Sequence, residues 1–179
     1  MNGDIKKVLY SEEQIKKIVS DLGKRISEDY KDKYLLLVSV LKGSVVFMAD
    51  LMRSIDIPLE IDFMVVSSYG SGTKTSGNIK IIKDLNIDIK GYDLLIVEDI
   101  LDSGVTLSTL KNMLLAREPA SIKICTFIDK PERRIADITA DYIGAPVPDE
   151  FIVGYGLDYD EKYRNLPFIG VLKEECYSK

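Results

Sequence analysis

Leu94-Leu95-Ile96-Val97-Glu98-Asp99-Ile100-Leu101-Asp102-Ser103-Gly104-Val105-Thr106-Leu107 is an apolar run that delivers two adjacent carboxylates. A third acid follows three residues on, then a Ser-Gly turn, then a helical pattern. Continuous apolar runs of this kind are strands buried on both faces of a parallel sheet. A helix that starts at such a turn aims unpaired amides at whatever lies before it, and those amides suit a phosphate. The acids can hold sugar hydroxyls or a metal. The stretch therefore reads as a strand–turn–helix joint that binds a phosphorylated sugar.

Outward from it, strands and helices alternate. Ser11-Glu12-Glu13-Gln14 has the form of a capping box, and Ile15, Ile18, Val19, Leu22 and Ile26 follow at helical spacing. Tyr34 to Val40 is a second buried strand, turning through Leu41-Lys42-Gly43-Ser44 into a helix with Val45, Met48, Leu51, Met52 and Ile55 on its apolar face. Leu59 to Val66 alternates, with Leu59, Ile61, Phe63 and Val65 on one face and Glu60 and Asp62 on the other. Ile79 to Ile82 and Ser121 to Ile128 complete the strands of the front two-thirds. After Lys130-Pro131 the pattern breaks into short pieces. The expectation is an α/β fold: one domain over 1–179, a mostly parallel sheet flanked by helices over about 10–130, and a small accessory region over about 131–179. That region lies over the carboxyl ends of the strands, where open α/β sheets bind ligands.

The 179 residues suffice for a full core, and 46% hydrophobic with 30% charged residues is ordinary for a globular chain. A net charge of −5 argues against nucleic acid as a partner. No apolar run approaches the roughly 20 residues of a membrane span, and the N-terminus lacks the form of a signal peptide, so the expected location is cytoplasmic. Cys125 and Cys176 are too far apart in sequence for a zinc motif and read as reduced packing residues. The chain has no histidine, so acid–base work falls to Asp, Glu, Lys or Tyr.

Ser67 to Asn78 is polar and glycine-rich. Gly72 and Gly77 have P-loop separation, but Asn78 and Ile79 stand where Lys and Ser/Thr are needed. The segment is better read as a lid that excludes water from a reactive intermediate.

The stretch from Leu94 to Leu107 resembles the phosphoribosyl-pyrophosphate signature of type I phosphoribosyltransferases, in which an apolar run leads to two acids and Asp-[Ser/Thr]-Gly-x-Thr. Phe151-Ile152-Val153-Gly154-Tyr155-Gly156-Leu157-Asp158-Tyr159 resembles the corresponding segment of the hypoxanthine–guanine branch at every slot. The resemblance runs from about residue 35 to 172 and implies the type I fold, with a hood formed largely by the C-terminal segment. It implies that Glu98 and Asp99 bind ribose hydroxyls directly or through Mg2+, and that Ser103, Gly104, Val105 and Thr106 cradle the 5′-phosphate. Asp102 is implied as acid or base near purine N7. Leu41, Lys42 and Gly43 match a pyrophosphate-binding turn that carries a cis peptide in that family, and Arg164 matches a pyrophosphate-contacting arginine. Ser68-Tyr69 matches the pair on the family's lid. Lys130 falls where a lysine reads the purine 6-oxygen, Phe151 where an aromatic stacks on the base, Ile152 where backbone groups meet the base edge, and Asp158 where a carboxylate helps hold the metal.

The implied activity is purine salvage: phosphoribosyl transfer from phosphoribosyl pyrophosphate to hypoxanthine, and to guanine, with Mg2+ as cofactor. The implied assembly is a homodimer or homotetramer. Lysine only donates, so Lys130 suits a 6-oxopurine and not the 6-amino group of adenine. Two other readings stay open. One is a xanthine-preferring transferase. The other is a non-catalytic regulator on the same fold, which would need a basic surface that the acidic balance argues against. Three departures from the family stand in the sequence: the glycine-rich Tyr69-Gly70-Ser71-Gly72-Thr73, the uncharged Val105 in the phosphate turn, and Phe151 as one of several allowed aromatics.

Overall fold

A computed structural model describes residues 2–68 and 79–178. The proposed lid residue Tyr69 and the segment after it to Asn78 lie outside the described residues, and Ser68 is the last residue of a strand.

The chain runs β1 (Ile5–Tyr10), α1 (Glu12–Asp29), β2 (Leu35–Val40), α2 (Val45–Ser54), β3 (Leu59–Ser68), β4 (Ile79–Lys83), β5 (Asp93–Leu101), α3 (Val105–Leu115), β6 (Ser121–Asp129), β7 (Tyr142–Pro146), β8 (Ile152–Val153) and β9 (Ile169–Leu172). Six strands form the main sheet in the order β4-β3-β2-β5-β6-β7. All neighbours in it are parallel except the β3–β4 pair. A smaller antiparallel sheet has the order β1-β9-β8.

From β2 the chain crosses outward through α2 to β3; from β5 it crosses the opposite way through α3 to β6. Right-handed crossovers in opposite directions put their helices on opposite faces. The packing agrees. Leu35, Leu37, Leu95 and Val97 join α1 and α2 in one core. The alternate residues Leu36, Val38, Leu94 and Ile96 join α3 in the other. The strand order reverses between β2 and β5, and the residues that leave their carboxyl ends are the ones on which the ligand reading rests.

The box at Ser11 forms as its spacing predicts: Gln14 N–H donates to the Ser11 hydroxyl at 3.3 Å, and Ser11 N–H donates to Gln14 Oε1 at 2.8 Å. A cap of this kind is worth about 1 kcal/mol. The phase of α2 differs from expectation. Phe47, not Val45, is fully buried, because it meets the Phe127 ring edge-on at 5.2 Å. In β3 the acidic face is not solvated throughout. Asp62 is buried and accepts from the backbone N–H groups of Phe63 at 2.7 Å and Asn86 at 2.6 Å, with Lys83 Nζ at 3.3 Å. Burial alone would raise its pKa, but these donors outweigh it and hold the carboxyl low.

The expected boundary near residue 130 divides the fold incorrectly. β7, after it, pairs with β6 as the edge of the main sheet, and β1, before it, pairs with β9 in the small sheet. The hood is thus built from both ends of the chain. It is tied to the main sheet by Tyr155, whose ring lies 5.0 Å from that of Phe127 and whose hydroxyl donates to Asp50 in α2 at 2.8 Å. Cys125 is fully buried in β6, and burial pushes its thiol pKa far up, as befits a packing cysteine. No described helix is long and apolar enough to cross a membrane.

Candidate active site

β5 runs farther than its apolar stretch, through both acids to Leu101. Leu101 pairs with Asp129 at the end of β6, so Asp102 and Lys130 leave the sheet side by side, and Lys130 N–H donates to Leu101 O at 3.0 Å. Ser39 of β2 pairs with Val97, so the turn after β2 shares an edge with Glu98 and Asp99. Parallel register therefore assembles three separate stretches of sequence at one place.

The first group is the turn that leads into α3. Gly104 takes the left-handed conformation (φ 76°) and precedes α3 without a side-chain cap. The first amides of α3 are thus left for a ligand, where the capping box of α1 uses its own. Arg134 fixes the turn from behind. Its Nε donates to Asp102 O at 2.9 Å, its NH2 to Leu101 O at 3.1 Å, its NH1 to Ile138 O at 2.7 Å, and it pairs with Asp129. The sequence offers no signal for this brace, because its acceptors are mostly carbonyl oxygens.

The second group is acidic. Glu98 and Asp99 are half-buried at the end of β5. Burial, and then the neighbouring charge of Asp99, hold the Glu98 pKa well above the usual carboxylate range. Burial likewise pushes Asp99 up to about 6, against the opposing pull of the Ile100 amide, its own amide and Arg164. The Leu41–Lys42 peptide is cis, and Gly43 sits directly against the Asp99 carboxylate. A side chain at Gly43 would collide with Asp99 Oδ2, and one at Gly156 (φ +99°) would collide with Gly43 O. Arg164 NH1 donates to Gly156 O at 2.8 Å and its NH2 lies 2.9 Å from Asp158 Oδ1. Lys42 Nζ reaches Glu161 Oε2 at 3.0 Å across the same seam. Ser44 does not cap α2; its buried hydroxyl donates back to Val40 O and meets Ser39 Oγ at 2.6 Å, which fixes the turn.

One prediction follows for the metal-free protein. Between the ordinary Asp pKa of 3.8 and about 6, the folded chain holds a proton on Asp99 that the unfolded chain has lost. Native stability therefore falls as pH rises through that window and stays reduced above it. Asp99→Asn removes that penalty while keeping the side-chain shape. Its Tm in chelator is expected to exceed wild type by roughly 3–6 °C at pH 8, about 1–2 kcal/mol after solvent screening, and to match it at pH 4. Equal melting at both pH values would show that Asp99 is not held under strain of charge.

The third group lines a cavity of 640 Å3 that includes Asp102, Lys130, Phe151, Ile152, Arg133 and Asp149. Lys130 is 6% exposed; its Nζ donates to Glu150 O at 2.9 Å and lies 3.5 Å from Asp149 Oδ1, leaving one of three donors for a ligand. The Phe151 ring stacks on Tyr177 at 4.8 Å and meets Tyr159 edge-on at 5.5 Å. Leu172 N–H donates to Phe151 O at 2.8 Å, so antiparallel alternation turns the N–H and C=O of Ile152 away from β9, towards the free edge of the small sheet. Asp102 Oδ1 is buried without a hydrogen-bond partner among the described residues.

The candidate residues thus fall into three adjoining compartments. Asp102 belongs to two of them, its carboxylate in the cavity and its backbone in the turn. Sequence reading missed Arg133, Arg134, Asp149 and Tyr177. Among the described residues, no cluster of three or more Asp, Glu, His or Cys could cage a metal by itself. The donors present, the hard carboxylate oxygens of Glu98, Asp99 and Asp158, suit a Mg2+ that keeps water and substrate oxygens in its shell. Asp158 is partly engaged, by Arg164 and by the Glu161 amide at 2.9 Å.

The phosphoribosyl transferase domain family matches residues 7–160. The hypoxanthine-guanine phosphoribosyltransferase of Streptococcus thermophilus is 56% identical over 176 residues, covering 98% of each chain. That of Staphylococcus epidermidis is 55% identical over 179 residues, covering 100% of each. A crystal structure of a hypoxanthine phosphoribosyltransferase from Staphylococcus aureus superposes with a TM-score of 0.99 at 52% identity, covering 100% of this chain and 97% of that one.

Proposed function

The chain belongs to the phosphoribosyl transferase family, and from that premise we propose that it catalyses purine salvage, moving the phosphoribosyl group of phosphoribosyl pyrophosphate to hypoxanthine or guanine. The observation that carries this reading is the register of β5 and β6. It supports the reading because Asp102 and Lys130, which leave the sheet side by side, line one cavity, and Gly104 opens α3 two residues after Asp102.

The residues divide the work as follows. The Ser103–Thr106 turn holds the 5′-phosphate, with Val105 contributing backbone only. Glu98 and Asp99 hold the ribose hydroxyls. Leu41, Lys42 and Gly43, with Arg164, receive the pyrophosphate. Lys130 donates to the 6-oxygen, Phe151 stacks on the base, and Ile152 offers N–H and C=O to its edge. Purine N9 bonds to C1′ as the C1′–oxygen bond breaks and pyrophosphate leaves, and the proton on N7 passes to Asp102. Ser68 and Tyr69 belong to the proposed lid, which keeps water from the oxocarbenium-like centre. Mg2+ is proposed as cofactor; Glu98, Asp99 and Asp158 would hold it together with water and substrate oxygens, and when bound it would supply positive charge to the leaving pyrophosphate. The raised pKa values of Glu98 and Asp99 support this, since burial disfavours their charged forms and a bound cation would favour them. The two sheets are proposed to act as one catalytic domain.

Incubation with phosphoribosyl pyrophosphate, Mg2+ and hypoxanthine is expected to yield nucleoside monophosphate and pyrophosphate in equal amounts. Binding of the sugar phosphate without turnover would favour the non-catalytic regulator.

A further inference from the structure

Arg133 and Asp149 line the base cavity but have no part in the scheme above. Arg133 Nε lies 2.6 Å from Asp149 Oδ1, and Lys130 Nζ lies 3.5 Å from that same oxygen. Arg133 NH1 lies 3.8 Å from Asp102 Oδ2. A line of ion-pair contacts thus runs from Asp102 through Arg133 and Asp149 to Lys130. Its two ends are the groups assigned to N7 and to the 6-oxygen, which are neighbouring positions on one edge of a 6-oxopurine.

The spacing along this path is uneven in an informative way. At 3.8 Å, Arg133 attracts Asp102 but makes no hydrogen bond to it. Asp102 Oδ1 is buried, so the 42% exposure of the side chain is carried on the Oδ2 side, towards the cavity. A guanidinium that closed onto Oδ2 would occupy the lone pair that a base proton needs. The short contact to Asp149 holds Arg133 from its other side.

We propose that Arg133 and Asp149 form a positioning pair for the base site, in which Asp149 restrains Arg133 so that Asp102 keeps one oxygen open to the purine. The proposal rests on the reaction assigned above. Both side chains are about half exposed, 54% and 45%, so their ion pair adds little to folding and the variants should melt as wild type does.

The test is steady-state kinetics with hypoxanthine at saturating phosphoribosyl pyrophosphate and Mg2+. It compares wild type, Asp102→Asn, Asp149→Asn, Arg133→Met and the Arg133→Met/Asp149→Asn double variant. Asp149→Asn is expected to lose roughly 10-fold to 100-fold in kcat, the scale of a misplaced reacting group, with an unchanged KM for the sugar phosphate. Arg133→Met is expected to lose less, because Oδ2 stays open. The double variant should return to the Arg133→Met level, since the side chain that blocks Asp102 is gone. Wild-type kcat in Asp149→Asn, or a double variant whose loss equals the product of the single losses, overturns the positioning pair. A wild type that makes no nucleotide from hypoxanthine overturns the assigned reaction and the pair with it. An active wild type with multiplicative losses overturns the pair alone.

Discussion

Asp102→Asn is expected to lower kcat for nucleotide formation by ~10²-fold or more, with little change in affinity for phosphoribosyl pyrophosphate. Asp102 is one of the few groups that can take a proton at the base, since the chain lacks histidine and Lys130 only donates. Asn keeps the shape and the carbonyl oxygen but cannot accept a proton at working pH. The phosphate turn should survive, because Arg134 holds it through the backbone carbonyls of Leu101 and Asp102 and not through the Asp102 side chain. Single-turnover kinetics with a parallel binding titration separate the two effects. Unchanged turnover in this variant would remove Asp102 from the proton transfer.

Lys130→Met is expected to cost ~10²-fold in kcat/KM for hypoxanthine, nearly all of it in the KM of the base. A charged donor to a buried acceptor contributes about 1.5–3 kcal/mol, and Met fills similar volume without replacing it. The same variant should narrow the gap between hypoxanthine and adenine, because the wild-type lysine meets a 6-amino group donor to donor, leaving neither satisfied by the other. Glu150 O loses its donor, but Asp149 retains Arg133, so the wall of the cavity should hold. A base KM equal to wild type would show that Lys130 is structural.

How far the sequence revealed this site depends on the range of each interaction. β5, the turn and α3 were readable because every determinant is local: an apolar run, acids at its end, a glycine in the left-handed conformation. The capping box of α1 was readable for the same reason. The tail around Phe151 was readable only through family resemblance, since its short strands carry no periodic pattern. The contribution of β1 to the hood was not readable, because Ile5-Lys6-Lys7-Val8-Leu9-Tyr10 is short and mixed and pairs with a strand at the other end of the chain. The inward turn of Asp62 was hidden by its place in a clean alternation; besides the adjacent Phe63 amide, its donors come from Lys83 and Asn86, on the far side of the glycine-rich segment. Arg133 and Asp149 look like solvated charges until the fold sets them against Asp102 and Lys130. In each miss, the deciding partner was distant in sequence.

The most direct measurement is nucleotide formation by purified protein from phosphoribosyl pyrophosphate and Mg2+ with hypoxanthine, guanine, xanthine and adenine offered separately. Turnover of hypoxanthine and guanine, with adenine lower by ~10⁴-fold or more, is the result that Asp102 and Lys130 at one cavity require. Adenine used as readily as hypoxanthine, or no nucleotide from any of the four, would contradict it.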